Sequence, residues 1–143
     1  MRLLGNVLWF VFGGWYTSLT WLFGALLFAL TIIGLPLTRS AFEMAKLSAF
    51  PFGKEVVHVD QLRGKPSSSA MGVLEVILNL IWTFTFGIAL FIMHVTAGFI
   101  ACLTVILIPF GIQSFKLAVL SLWPVGRRVV NKEELFKAQT KIV

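Results

Sequence analysis

The sequence predicts an all-α integral membrane protein made of two tandem direct repeats. Each repeat is a short helical hairpin in the membrane followed by an interfacial amphipathic helix, and a small cytoplasmic β-ribbon is expected to join the two. Three observations carry this prediction. First, 58% of the 143 residues are hydrophobic, too many for the charged surface a soluble domain of this size needs. Second, two long apolar blocks, residues 3–37 and 73–110, contain a single formal charge, Glu75. Third, the chain repeats itself without a gap at an offset of 73 residues. Asn6, Trp9, Gly14, Thr31, Ile33, Pro36 and Phe42 return as Asn79, Trp82, Gly87, Thr104, Ile106, Pro109 and Phe115. Ala45, Leu47, Ser48, Pro51, Gly53, Val56 and Val57 return as Ala118, Leu120, Ser121, Pro124, Gly126, Val129 and Val130.

Arg2 precedes the first block, but the apolar run continues through Leu22 to Leu35, beyond the short apolar region of a cleaved signal. The segment is therefore expected to be structural. All three flanks of the blocks are basic: Arg2; then Arg39, Lys46, Lys54, Arg63 and Lys65; then Lys116, Arg127, Arg128, Lys132, Lys137 and Lys141. The positive-inside bias then places both termini and the connector in the cytoplasm, which requires two passes per block. One crossing takes roughly 20 helical residues, so the passes must be short, tilted or partly re-entrant. Gly13, Gly14, Trp15, Tyr16, Thr17, Ser18 and Thr20 mark a turn in the first copy; only Gly87 and His94 do so in the second. A single long tilted helix per block is the open alternative.

Gly34-Leu35-Pro36-Leu37 and Ile108-Pro109-Phe110-Gly111 end the two blocks, because proline removes a backbone donor and restricts the residue before it. In the following segment, residues 38–50, Arg39, Glu43 and Lys46 share one helical face and Phe42, Ala45 and Ala49 turn inward, as in an interfacial amphipathic helix. These charges are either a solvated face or functional. Its counterpart, residues 112–123, is more apolar, with Gln113 and Lys116 as its main polar positions. Glu43 aligns with Lys116, and the two are expected to pair across the repeat axis. Phe50-Pro51-Phe52-Gly53-Lys54 and Trp123-Pro124-Val125-Gly126-Arg127 read as turns, each followed by a short strand around the paired valines. The first repeat thus spans 1–63, a flexible linker with Lys65, Pro66, Ser67, Ser68 and Ser69 spans 64–70, the second repeat spans 71–135 with its membrane part at 71–110, and a charged helical tail spans 136–143.

Enzyme chemistry is not indicated. No nucleophile motif, phosphate loop or intramembrane carboxylate pair is present, so no catalytic residue and no cofactor is expected. Cys102 stands alone in an apolar helix, and His58 and His94 lack ligand-spaced partners, so no metal site is expected. The candidate intramembrane polar or pore residues are Asn6, Asn79, Thr31, Thr104 and His94. The threonines either bond their own helix or ring a pore; His94 is either a neutral packed histidine or a gate. Ala25 and Ala29 align with Gly98 and Cys102, where close helix contacts are expected. The net charge of +6 lies beside membrane segments without interleaved aromatics, which disfavours nucleic acid and points to anionic lipid headgroups. Arg39, Lys46, Arg127 and Arg128 are the candidate contacts.

The run Leu35-Pro36-Leu37-Thr38-Arg39-Ser40, then Pro51 and Val56-Val57-His58-Val59-Asp60, resembles the bacterial YccF family of inner membrane proteins. So do Met93-His94, Thr96-Ala97-Gly98, Ile108-Pro109 and Trp123-Pro124-Val125-Gly126-Arg127-Arg128-Val129-Val130 in the second half. The resemblance covers residues 6 to about 130. It implies a bacterial inner (plasma) membrane protein with two copies of the family's domain and two transmembrane regions in each. It also implies an association with cation exchanger domains in some members, which hints at ion handling. Two functions follow from different classes: an oligomeric ion channel or transport component, the reading favoured by the paired polar positions, and a non-conducting scaffold or accessory subunit that binds lipids or a membrane protein partner. Direct repeats of equal orientation do not suit an inverted-repeat transporter, and a pore in so small a chain requires a homo-oligomer.

Overall fold

The computed structural model describes residues 2–32, 34–64, 66 and 68–142; Ile33, Lys65 and Ser67 of the sequence reading lie outside the described residues. Helix α1 (Arg2–Trp9) continues through a π-helical turn (Phe10–Gly14) into α2 (Trp15–Ala29). The first apolar block is thus one 28-residue helix, Arg2–Ala29. Gly13 departs from helical geometry within it (φ 158°, ψ −12°), but the chain does not reverse there. It reverses after Leu30, and α3 (Leu35–Ala49) returns packed along α2.

The turn expected between Gly13 and Thr20 therefore forms one helix later, for a local reason. Thr17 and Thr20 donate to the carbonyls of Gly14 (3.3 Å) and Tyr16 (3.1 Å), which satisfies their hydroxyls without breaking the helix. At the real turn, Thr31 Oγ1 donates to the Phe28 carbonyl (2.8 Å) and accepts the Gly34 N–H (3.1 Å). Pro36 then starts α3, where a missing backbone donor costs nothing.

The second copy follows the same plan. Helix α5 (Ser69–Trp82), a π-helical turn (Thr83–Gly87) and α6 (Ile88–Cys102) form one 34-residue helix. A 3-10 turn (Val105–Leu107) leads to α7 (Ile108–Leu122), which packs back along α6. Gly87 and His94 lie inside this continuous helix rather than at a reversal. Arg2–Ala29, Ser69–Cys102 and Val105–Leu122 are each long and apolar enough to cross a membrane. One long helix per block, the alternative left open by the sequence, is the one that forms. The hairpin of each repeat is made between that helix and the arm after the proline. Ser69 and Ala70, read as linker, already belong to α5, with Ser68 as its cap.

After α3 and α7 the chain turns at Pro51 and Pro124. The N–H groups of Lys54 and Arg127 donate back to the Pro51 and Pro124 carbonyls (3.4 and 3.3 Å), and Gly53 and Gly126 take φ of 86° and 85°. Positive φ at the third residue of such a turn calls for glycine. Strand β1 (Lys54–His58) follows the first turn and β2 (Arg127–Asn131) the second. They pair antiparallel, with Val56 opposite Val129 and Lys54 opposite Asn131. Because Val129 is the counterpart of Val56, the ribbon has a pseudo-two-fold axis through that pair. Reciprocal backbone bonds extend it: Val59 N–H donates to Gly126 O (2.8 Å), and Lys132 N–H to Gly53 O (3.1 Å). Short α4 (Val59–Arg63) and terminal α8 (Lys132–Ile142) leave the ribbon on its two sides.

Gly126→Ala is expected to lower stability by about 1–2 kcal/mol from backbone strain alone. A Cβ there would also meet the Glu75 carboxylate at 2.5 Å, whereas at Gly53 it would meet the movable Arg2 side chain at 2.9 Å. The thermal midpoint of Gly126→Ala should therefore fall further than that of Gly53→Ala.

The core lies between the two hairpins and beneath the ribbon. Trp9, Trp21, Leu37, Met44, Leu78, Trp82, Leu90 and Leu117 are buried in one cluster. Small residues permit the close helix contacts: Gly24 faces the Trp82 ring and Gly98 the Phe115 ring. Of the expected small-residue pairs, Ala25 is buried while Ala29 is exposed.

The expected Glu43–Lys116 pair does not form. Glu43 instead accepts from the Arg128 guanidinium (2.8 Å) and the Val129 N–H (3.1 Å). The two-fold arrangement lays the strand of one copy beside the hairpin arm of the other, so Glu43 on α3 meets β2. Lys116 faces a cleft with β1.

Candidate functional site

The five candidate intramembrane polar residues occupy three kinds of place. Asn6 and Asn79 each grip the loop before a strand. The Asn79 amide donates to Val125 O (3.2 Å) and accepts the Val125 N–H (2.8 Å). Asn6 does the same with Phe52, at 3.2 and 2.9 Å. Both span 46 residues, so one device is used twice. Asn79 is fully buried and Asn6 half-buried. A second repeated device lies one helical turn further on: the indole N–H groups of Trp9 and Trp82 donate to the carbonyls of Ser48 (2.7 Å) and Ser121 (2.9 Å). Two-point amide bonding and an indole donor together satisfy the backbone where the hairpin arm ends and extended chain begins.

Thr31 and Thr104 sit exposed at the two hairpin tips and donate to Phe28 O (2.8 Å) and Ala101 O (3.0 Å), each on its own helix. His94 is 1% exposed, and its Nε2 has no hydrogen-bond partner. It lines a cavity of about 260 Å³ with Trp9, Thr17, Ala101, Phe110 and Ser114 among the walls.

Of the four candidate headgroup contacts, Arg39 is largely exposed, with only a 4.0 Å approach to Glu43. Lys46 lies over the Phe42 ring at 4.7 Å. Arg127 donates to the Trp123 carbonyl (2.9 Å), and Arg128 is engaged by Glu43. The structure assembles a different basic feature that the sequence reading did not single out. A cleft of about 410 Å³ is lined by Lys54, Lys116 and Lys132, with Gln113 and one carboxylate, Glu55. Burial, and secondarily the nearby Lys46 ammonium, lowers the Lys54 pKa below the ordinary lysine range. These lysines come from β1, α7 and the start of α8. Only the crossing of strand over hairpin arm brings them together, and no spacing rule in the sequence would have found them.

One ion pair and one histidine–carboxylate hydrogen bond tie the long helices to the ribbon and to α8 that follows it. Arg2 meets Glu133 at 2.6 Å, and Glu75, the counterpart of Arg2, meets His58 Nε2 at 3.1 Å. His58 Nδ1 also accepts the Asp60 N–H (3.2 Å). Among the described residues, no group of three or more His, Cys, Asp and Glu is arranged to hold a metal ion.

The model of the YccF inner membrane component domain matches residues 4–54 and again 77–127. The chain belongs to the YccF family. Its two matched segments differ by the same offset as the internal repeat. Each contains one asparagine clamp and one Trp-to-carbonyl bond, whereas Arg128 and Lys132 lie beyond the second match. Similar proteins named "Inner membrane protein YccF" occur in Escherichia coli (strain K12) and Shigella flexneri. Each is 44% identical over 133 residues, covering 93% of this chain and 90% of the relative. No solved structure matches the chain.

Proposed function

We propose that this YccF-family protein is a non-conducting component of the bacterial inner membrane whose cytoplasmic face holds anionic phospholipid headgroups in the lysine cleft. The observation that carries the reading is the convergence of Lys54, Lys116 and Lys132 around one open cleft with a single carboxylate in its wall. A cleft lined by three lysines and a single carboxylate favours an anion, and burial, with the Lys46 ammonium second, already disfavours the charged form of Lys54. A lipid phosphate would supply the missing charge at the level where the chain leaves the apolar layer. The termini and the ribbon are then cytoplasmic, in keeping with the basic flanks.

The polar pairs that suggested a pore support this reading too, since both asparagine amides are engaged with loop backbone and both tip threonines bond their own helices. An accessory or scaffold role needs no path for ions and no catalytic residue. The test is lipid retention. Protein purified in detergent and exchanged into phosphatidylglycerol/phosphatidylcholine nanodiscs should enrich phosphatidylglycerol. Lys54→Gln with Lys116→Gln should lower that preference roughly thirtyfold, at about 1 kcal/mol for each basic residue near the surface. Lys54→Gln alone should leave stability at neutral pH unchanged or slightly raised, because the folded state disfavours the charged form of this lysine. With a folded pKa below the unfolded one, Lys54 opposes folding below its folded pKa, and that opposition fades as pH rises towards the unfolded value. Selective ion flux through the purified protein in liposomes, abolished by Asn79→Leu in protein that keeps its fold, would overturn the non-conducting reading.

A further inference from the structure

The pseudo-two-fold axis allows each half of the core to be compared with the other, residue by residue. In one half, Trp82 is enclosed by three aromatic rings: Trp21 stacked at 4.9 Å, Phe86 at 5.4 Å and Phe28 at 5.9 Å. The counterpart of Trp82 is Trp9, and at the counterpart positions stand His94, Gly13 and Ala101. All three line the cavity of about 260 Å³. The cavity is the space that three aromatic side chains fill on the other side of the axis. Phe110, in the place of Leu37, stacks on Trp9 at 6.1 Å and covers part of it.

The walls also differ in polarity. Thr17, His94 and Ser114 line the cavity, and their counterparts are Leu90, Trp21 and Ala41. Thr17 is bonded to Ser48 (2.7 Å), but His94 Nε2 is buried at the cavity wall without a partner. Trp21 Nε1 also lacks a partner, but it belongs to a ring stacked on Trp82 rather than to the wall of this cavity. A buried polar nitrogen in an apolar layer is unfavourable unless something bonds it. Phe12 and Ile100, at the cavity wall, are largely exposed on the apolar surface, so a lipid-soluble molecule can approach from the bilayer.

We infer that this cavity is a binding site for a flat one- or two-ring lipid-soluble molecule that stacks on Trp9 and hydrogen-bonds His94 through a polar atom at its edge. The size is suitable, since an apolar cavity of roughly 150 Å³ accommodates benzene. The ring is specified by the Trp21 and Phe86 rings stacked on Trp82, whose counterpart positions hold the smaller His94 and Gly13. The polar edge is specified by His94. A water cluster would satisfy His94 Nε2 but would leave the faces of Trp9 and Phe110 against water, and an acyl chain would leave Nε2 unbonded.

The test uses 5-fluoroindole with the full-length protein in nanodiscs, followed by fluorine NMR against empty nanodiscs. Saturable binding is expected, competed by indole and several-fold less well by indene, which has the same shape without the N–H. Ala101→Phe and His94→Trp, each restoring an aromatic ring found in the other half, should weaken binding at least tenfold while keeping or raising the thermal midpoint. Two different substitutions guard against one of them failing to fold. No saturable binding beyond the empty nanodiscs, equal competition by indole and indene, or binding unchanged in a folded cavity-filled variant would each overturn the assignment.

Discussion

Trp82→Ala is expected to destabilise the protein by about 3–5 kcal/mol, the range for removing a large aromatic side chain from a packed interior. Trp82 is fully buried and stacks on Trp21 and Phe86. Its indole is also the donor to the Ser121 carbonyl at the end of the second hairpin arm. The substitution removes ring contacts worth about 0.5–1.5 kcal/mol per pair beyond area burial, and leaves a buried carbonyl unbonded. Trp9→Ala deletes the equivalent ring from the half that already contains a cavity, so its cost should be smaller. Reversible unfolding of both variants in mixed detergent and lipid checks the order. A Trp9 variant as costly as the Trp82 variant would mean that the two halves are equally well packed, against the geometry described above.

Asn79→Leu is expected to cost about 2–6 kcal/mol, because two buried backbone groups lose their partner at about 1–3 kcal/mol each. These are the Val125 N–H and C=O. Leucine matches the size of asparagine closely enough that packing loss is secondary. Asn6→Leu breaks the same pair of bonds to Phe52, but in a half-buried place where water can replace them, and should cost less. The measurement is the unfolding midpoint of each variant, with amide exchange at residues 123–127 as the local readout. An Asn79→Leu protein of unchanged stability and unchanged loop protection would show that the amide is not a clamp, and would return Asn79 to the candidates for a polar path through the membrane.

Much of the fold was legible because membrane proteins write their constraints locally. The absence of charge from 3–37 required the backbone to satisfy itself in helices, and Pro36 and Pro109 fixed where the second arms begin. The paired valines and the Pro-x-Gly turns announced the ribbon, since a positive φ needs glycine and β-branched residues favour extended chain. The reversal was misplaced because Gly13, Gly14 and the hydroxyls nearby look like turn chemistry. A threonine in an apolar helix can instead donate to the carbonyl a turn behind, as Thr17 and Thr20 do. Alignment of Glu43 with Lys116 suggested a pair, but alignment gives equivalence, not proximity. Residues related by a two-fold axis away from that axis face different partners, which is why Glu43 reaches Arg128.

The sequence by itself determined the solvent this protein folds in, the doubling of one domain, the prolines at which the second hairpin arms begin and the presence of a ribbon. Each of these follows from the polarity or backbone restriction of residues close together in the chain. Only the tertiary structure decided that both asparagines hold loops, that three lysines from separate elements share a cleft, and that His94 stands opposite Trp9 in an unfilled space. Those facts depend on which side chains meet across the pseudo-two-fold axis, as Trp21 meets Trp82. Contacts between residues so far apart in sequence are set by the packing of whole helices and the crossing of the ribbon, and no local pattern encodes them.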